Sequence, residues 1–480
     1  MATQKNFGLV PQLGLILAAS ILVSNTQAAD ALRLWQAMDQ ALASNPSIKG
    51  QVAEVKRQEL EKAIAGGQHL PKVDLSASYT RYAHPTLVTP IRQVGVFPPL
   101  DQDISNIGLT LSLPLYAGGK LVAGESLAEH NRIASSEALR AAGQDLLFNV
   151  ATTYTKALQL KSLQKALAVR IKTLEKEESN IRQRIANGRA AKLELIRLQT
   201  QLSQARHDRL AVEQGEHDAL SLLAVLLGKR SAGFELVEEL AVPASLPKTK
   251  EEALAAAMSQ RPEILKARAL EKAAADRTEI ARGERRPQVH LVSRIQTTAG
   301  GSLGQNYDDG QIGVQLSFPL FDGSIRSHRV DQAALEHRRS ELQVEDLDNQ
   351  MTAEVEQAFG GLSEARSRLE VAAQGEREAV EALRIERLRY DNGESTITDL
   401  LAAEAALWSA TVNRLQAGFD IAVQQARLLR VTGSLSPESF KPRSLEPAKT
   451  GGTNRPSQLT GTERHIAMHR GIYGISTWLD

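Results

Sequence analysis

The chain has no cysteine among its 480 residues. That excludes a disulfide framework, a thiolate zinc site and lipidation at an N-terminal cysteine. Aromatic residues make up only 4% of the sequence, too few for an ordinary globular core but enough for long helices. The net charge is +1, so no overall field draws the chain to nucleic acid. Neither a phosphate-binding loop nor a dinucleotide fingerprint is present, which argues against direct use of ATP or a nucleotide cofactor. No stretch reaches the roughly 20 apolar residues of a membrane-spanning helix. The nearest approach is residues 9–23, behind Lys5 and ahead of Thr26-Gln27-Ala28. A charged start, a short apolar run and small residues at −3 and −1 predict a signal peptide over residues 1–28.

What is present is a duplication. Pro114, Gly118, Asn187, Gly188 and Gly228 recur as Pro319, Gly323, Asn392, Gly393 and Gly433 at an offset of 205. Upstream, Pro46, Ile64, Gly67, Pro71, Val73 and Leu75 recur as Pro262, Ile280, Gly283, Pro287, Val289 and Leu291 at 216. The offset changes by 11 residues between Pro71 and Pro114, so the first copy carries one longer segment. Length change of this kind costs least in a loop. The predicted organisation is a first repeat at 29–228, a linker at 229–249 forming an equatorial region, a second repeat at 250–433 and a disordered tail at 434–480.

Within each copy, a helical segment with an internal Pro46 or Pro262 comes first. Period-two alternation then predicts strands at 72–82, 107–115, 288–298 and 312–320. Val73, Leu75, Ala77 and Tyr79 share one face, with Asp74, Ser76, Ser78 and Thr80 on the other. Proline-free stretches of 120–187 and 324–391 predict helices of about 100 Å each. Leu160, Leu167, Leu174 and Ile181, seven apart, form a coiled-coil seam. The Asn-Gly pairs at 187–188 and 392–393 stop those helices, and second helices of about 50 Å return to Gly228 and Gly433.

Four strands of about ten residues are long enough to cross a bilayer when tilted. Four cannot close a barrel, and an open edge in lipid leaves backbone groups unpaired. Closure needs at least eight strands, so membrane strands here require an oligomer. Tyr79, Tyr82, Tyr116, Phe318 and Phe321 lie where interfacial aromatic girdles would fall, and the loops 84–105 and 299–310 would be extracellular. The competing reading is two soluble hairpins on a structural periplasmic coiled coil without a pore.

The duplication, the steps Leu113-Pro114-Leu115-Tyr116-Ala117-Gly118-Gly119 and Phe318-Pro319-Leu320-Phe321-Asp322-Gly323, and the turn Tyr390-Asp391-Asn392-Gly393 followed by Ile397-Thr398-Asp399-Leu400-Leu401 resemble the TolC-like outer membrane efflux protein family over about residues 30–433. The resemblance implies a mainly α fold with a small membrane β-barrel part. A homotrimer would share one twelve-stranded barrel above a periplasmic tunnel of long helices. It implies a passive duct served by a periplasmic adaptor and by an inner membrane pump or ABC transporter, in drug efflux or type I secretion. It also implies a periplasmic gate at Glu194, Tyr390 and Asp399, and an adaptor-contact tip at Asn187, Gly188, Asn392 and Gly393. Ala402 stands where the family has a second gate aspartate, and Ser395 where its best-studied member has a gate arginine. Glu194 and Asp399 are 205 apart, each near the start of a helix. In a trimer their six carboxylates would converge and raise some of the pKa values. Thr396 and Asp399 also have the spacing of an ordinary capping box.

Two catalytic patterns are weak. Gly300-Gly301-Ser302-Leu303-Gly304 has nucleophile-elbow spacing but lies in a predicted hairpin loop. His465 and His469 are four apart in the predicted tail. No enzyme activity, metal or cofactor is expected.

Overall fold

The computed structural model describes residues 31–91, 93–240, 242–301 and 306–441. The predicted signal peptide, Ser302 and the His465–His469 pair lie outside them.

Each repeat opens with two helices. In the first these are α1 (Leu34–Ser44) and α2 (Pro46–Gly67). Pro46 takes the first helical position of α2, where its missing N–H is no loss, and Asn45 caps it by accepting from the Ser47 amide at 2.8 Å. Strands β1 (Lys72–Leu87) and β2 (Leu100–Tyr116) follow, then α3 (Lys120–Ala186) and α4 (Lys192–Leu226). The second repeat runs α5 (Lys250–Gln260), α6 (Pro262–Gly283), β3 (Gln288–Gly300), β4 (Asn306–Ser317), α7 (Ile325–Asn392) and α8 (Ile397–Val431). At 67 and 68 residues, α3 and α7 each extend about 100 Å.

The strands form one antiparallel sheet in the order β1-β2-β3-β4. Its register aligns the alternation of all four. Leu75, Leu109, Ile295 and Gly310 stand in one row, and Val73, Leu111, Ser293 and Ile312 in another. The intervening row is polar: Asp74, Thr110, Arg294 and Gln311. One face is therefore apolar yet open, with Leu75 74% and Ile312 75% exposed. A soluble sheet would cover such a face.

The strands run further than the alternation predicts at the loop end. β1 continues to Leu87 and β2 begins at Leu100, so the loop predicted at 84–105 shrinks and Tyr79 sits mid-strand. Pro85 is tolerated because β1 is an edge strand and its register shifts between Arg81 and Thr86. β3 runs to Gly300 and β4 begins at Asn306, inside the loop predicted at 299–310, and β4 stops at Ser317, short of the predicted 320.

Where sheet meets helix, the backbone is crowded. Gly118 has φ +66°, and a Cβ there would lie 2.5 Å from the Gly283 carbonyl oxygen. Arg286 donates to the Gly118 carbonyl at 3.0 Å, fastening the end of α6 to the start of α3.

Lower down, Met38, Val150, Tyr154, Leu223 and Leu227 form the core of the first equatorial unit. The Tyr154 hydroxyl is shared between the carbonyls of Leu32 (2.9 Å) and Val237 (3.0 Å), tying the linker to α3. The second repeat builds the counterpart from Ala253, Ile264, Met351, Val355 and Leu428. Residues 434–441, expected as the start of a disordered tail, are instead packed. Leu435 and Phe440 join the first core, Pro437–Phe440 forms a 3₁₀ turn, and Ser439 accepts from the Ala244 amide at 2.8 Å. Apolar anchors and backbone hydrogen bonds to Ala244 and Gln144 dock this segment despite its composition.

Candidate functional site at the helix turns

The far ends of the two helical hairpins meet around a third apolar cluster. Ile171, Leu174 and Ile181 of α3, Leu198 and Leu202 of α4, Tyr390 of α7 and Ile397 and Leu400 of α8 are all buried in it. Of the predicted seam, Leu167, Leu174 and Ile181 are fully buried and Leu160 is half-buried.

Each turn closes with crossed C-terminal bonds. Gly188 donates to Ile185 (2.9 Å) and Arg189 to Arg184 (2.8 Å); Gly393 donates to Tyr390 (3.1 Å) and Glu394 to Arg389 (2.8 Å). Gly188 and Gly393 have φ of +70° and +79°, the left-handed conformation this motif needs. Asn187, Gly188, Asn392 and Gly393 are exposed, as a contact tip requires.

Glu194 and Tyr390 come together across the two hairpins. Tyr390 is 6% exposed, and its hydroxyl donates to Glu194 Oε2 at 2.8 Å. The other oxygen, Glu194 Oε1, accepts from the Ala191 amide at 3.1 Å, so one carboxylate caps α4 and holds α7. Burial, then the hydrogen bond from its hydroxyl to Glu194 and the charge of Glu194, raise the Tyr390 phenol well above its usual range.

Asp399 does not join them. Its Oδ2 accepts from the Thr396 hydroxyl (2.6 Å) and the Thr396 amide (3.1 Å), while its own amide donates to Thr396 Oγ1 at 3.3 Å. This is a closed capping box. Within one chain the Thr396 side chain first, then its amide, lower the Asp399 carboxyl from its usual value. Asp399 is exposed, so little burial penalty opposes these local bonds to its charged form.

Sequence reasoning missed Arg184. It pairs with Asp391 at 2.5 Å and lies over the Tyr390 ring, 4.9 Å from its centroid. Its partners are about two hundred residues away, with no motif linking them. The available signal is its place in the repeat: Arg184-Ile185 in the first copy matches Arg389-Tyr390 in the second. Nearby, Arg197 donates to the Thr398 hydroxyl, a further tie between α4 and α8. Ser395 is half-buried with its hydroxyl unpartnered, and Ala402 is exposed.

Among the described residues, one group has metal-ligand chemistry. Glu271, His337 and Glu341 place ligand atoms within 4.8 Å of one another, far from the turns along α7. Arg338 already engages Glu341 at 2.7 Å. No helix among the described residues is long and apolar enough to cross a membrane, a criterion that says nothing about the sheet.

Comparison with known proteins follows the same lines. Outer membrane efflux protein BepC of Brucella suis biovar 1 is 23% identical, covering 88% of this chain and 91% of its own. The alkaline protease secretion protein AprF of Pseudomonas aeruginosa is 26% identical, over 84% and 85%. The solved structure of the outer membrane protein VceC from Vibrio cholerae superposes with a TM-score of 0.72 at 22% identity, covering 83% and 96%. Both repeats match one family description, outer membrane efflux protein, over residues 37–229 and 253–434. The chain thus belongs to the outer membrane efflux protein family, and is a protein of the cell outer membrane with a large periplasmic helical part.

Proposed function

We propose that the chain is the passive exit duct of an export system, assembled as a homotrimer. The observation that carries this is the sheet. It presents a coherent apolar face to the outside while its two edge strands, β1 and β4, have no further partner among the described residues. An apolar sheet with open edges is stable in a bilayer only when closed. Three chains of four strands give twelve, enough for a barrel. The face carrying the polar row Asp74, Thr110, Arg294 and Gln311 then lines the lumen, and α3, α4, α7 and α8 continue it as a periplasmic tunnel.

The turns form its far mouth. In this reading Glu194 and Tyr390 hold the mouth shut through their hydrogen bond, and Asp399 adds an exposed negative charge at the start of α8. Asn187, Gly188, Asn392 and Gly393 meet a periplasmic adaptor, which couples the duct to an inner membrane pump or ABC transporter. A relative named for efflux and one named for protease secretion both match most of the chain, and one architecture serves either use. The duct itself performs no catalysis.

Planar bilayer recording of detergent-extracted protein tests the proposal. Long-lived ohmic steps with cation preference are expected, the preference weakening in Glu194→Ala with Asp399→Ala. A protein that washes off membranes in salt and never conducts is a coiled-coil structural protein instead.

A further inference from the structure

The joint between α6 and α7 is held by opposite charges. Arg329 meets Glu284 at 3.1 Å near the sheet, Arg268 meets Asp348 at 3.9 Å further down, and Arg261 meets Glu354 at 2.6 Å at the foot of α6. One level between the first two breaks the rule. There Glu271 of α6 faces His337 and Glu341 of α7, and one ligand atom from each lies within 4.8 Å of the others. Two carboxylates set against each other across packed helices repel. Glu271 has no hydrogen bond or ion pair among the described residues. Glu341 is engaged on one side only: Arg338 donates to Oε2 at 2.7 Å, while Oε1 stands 3.8 Å from His337 Nε2. The His337 and Glu341 side chains are 31% and 36% exposed, partly covered yet within reach of a small ion.

The first copy holds the same joint differently. Between α2 and α3, Lys62 pairs with Glu129 at 3.2 Å. At the repeat offsets the second copy has Thr278 and Ala334 in their place. Conversely, Glu271, His337 and Glu341 correspond to Val55, Arg132 and Ser136 of the first copy. The second copy therefore lacks that cross-helix ion pair and carries two acids and an imidazole instead.

We infer that Glu271, His337 and Glu341 form a zinc site that pins α6 to α7, one per chain. The donor chemistry selects the ion. An imidazole nitrogen beside carboxylate oxygens suits zinc, whereas magnesium and calcium take oxygen ligands. Zinc accepts three protein ligands with water in the fourth position. Ligand bonds of about 2.0–2.2 Å put tetrahedral ligand atoms roughly 3.4 Å apart. The 3.8 Å between His337 Nε2 and Glu341 Oε1 is within a small side-chain adjustment of that. Spacing of four residues sets two ligands on one face of α7, and α6 brings the third. A dication there turns the repulsive level into an attractive one, with Arg338 on Oε2 as a supporting partner of Glu341. The site needs neither the barrel nor the gate to form.

Calorimetric titration of the EDTA-stripped, detergent-extracted full chain with zinc chloride tests it, alongside thermal melting. One zinc per chain and a raised melting temperature are expected, with no response to magnesium at the same concentration. Losing a ligand costs at least what losing a supporting partner does, so His337→Ala and the isosteric Glu271→Gln should each weaken binding about tenfold or more. His465→Ala with His469→Ala removes the histidine pair of the tail and should leave binding unchanged. Zinc should also slow hydrogen exchange of α6 around Glu271 in wild type but not in His337→Ala. Binding that survives in His337→Ala and disappears with the tail pair overturns the site. Wild-type affinity in Glu271→Gln overturns the bridge between the helices, and with it the inference. Melting of each variant without zinc shows that the fold is kept; if His337→Ala does not fold, Glu271→Gln decides alone.

Discussion

Removing one hydroxyl at the helix turns, Tyr390→Phe, isolates the bond that ties α7 to α4. The ring stays in its cluster with Ile181, Leu198 and Leu400, so packing is preserved. What is lost is the 2.8 Å bond to Glu194 Oε2. A hydrogen bond to a charged group contributes about 1.5–3 kcal/mol. The low end applies, because Glu194 is half-exposed and keeps the Ala191 amide at 3.1 Å. About 1.5 kcal/mol is roughly a tenfold shift toward the parted state in each protomer. Hydrogen exchange reads this directly: amides near the end of α7 and the start of α4 should lose about tenfold protection, while those around Met351 stay unchanged. Open probability in bilayers should rise in parallel. Glu194→Gln, which keeps an acceptor but not its charge, should give a smaller change of the same sign. Wild-type protection at the turns in Tyr390→Phe would refute the assignment of this bond as a closing contact.

Further expectations concern the joint and the pH response. Gly118→Ala should prevent assembly of stable oligomer, since its Cβ meets the Gly283 oxygen at 2.5 Å. Gly188→Ala, with similar φ but nothing within 4 Å, should cost only the left-handed backbone penalty of about 1–2 kcal/mol; equal thermal melting of the two variants would contradict this. Burial raises the Glu404 carboxyl, so the fold favours its protonated form. That contribution is present at low pH and is lost as pH rises through the raised value. Asp399, lowered from 3.8, contributes the opposite way: its stabilisation holds above that value and fades as pH falls below it. The difference in melting temperature between wild type and Glu404→Gln should therefore move in favour of wild type from pH 7 to 5. A shift the other way would contradict the assigned burial.

The legible parts of the sequence were those governed by local or periodic rules. Proline-free runs ending in Asn-Gly marked both long helices, because the stop chemistry is local. Alternation located all four strands, because the pleat has period two. It lost the strand extensions at 83–87, 100–106 and 306–311, where Asp101 and Asp103, and Asp308 to Gln311, break the apolar pattern and Pro85 imitates a loop. Residues 434–441 read as disordered by composition, yet Leu435 and Phe440 are 1% and 6% exposed. At the helix turns, Tyr390 and Glu194, both singled out in the sequence, share a hydrogen bond, while Asp399 follows the capping-box rule that the spacing also allowed. Arg184 was invisible: its partner Asp391 is 207 residues on, and no periodicity encodes that contact.

The central claim is that four strands per chain, unable to close alone, close as three chains. Native mass spectrometry of the detergent-extracted protein measures it. The account predicts a stable assembly of three copies, dissociating only together with loss of strand signal. A stable detergent-soluble monomer that keeps its sheet would contradict it.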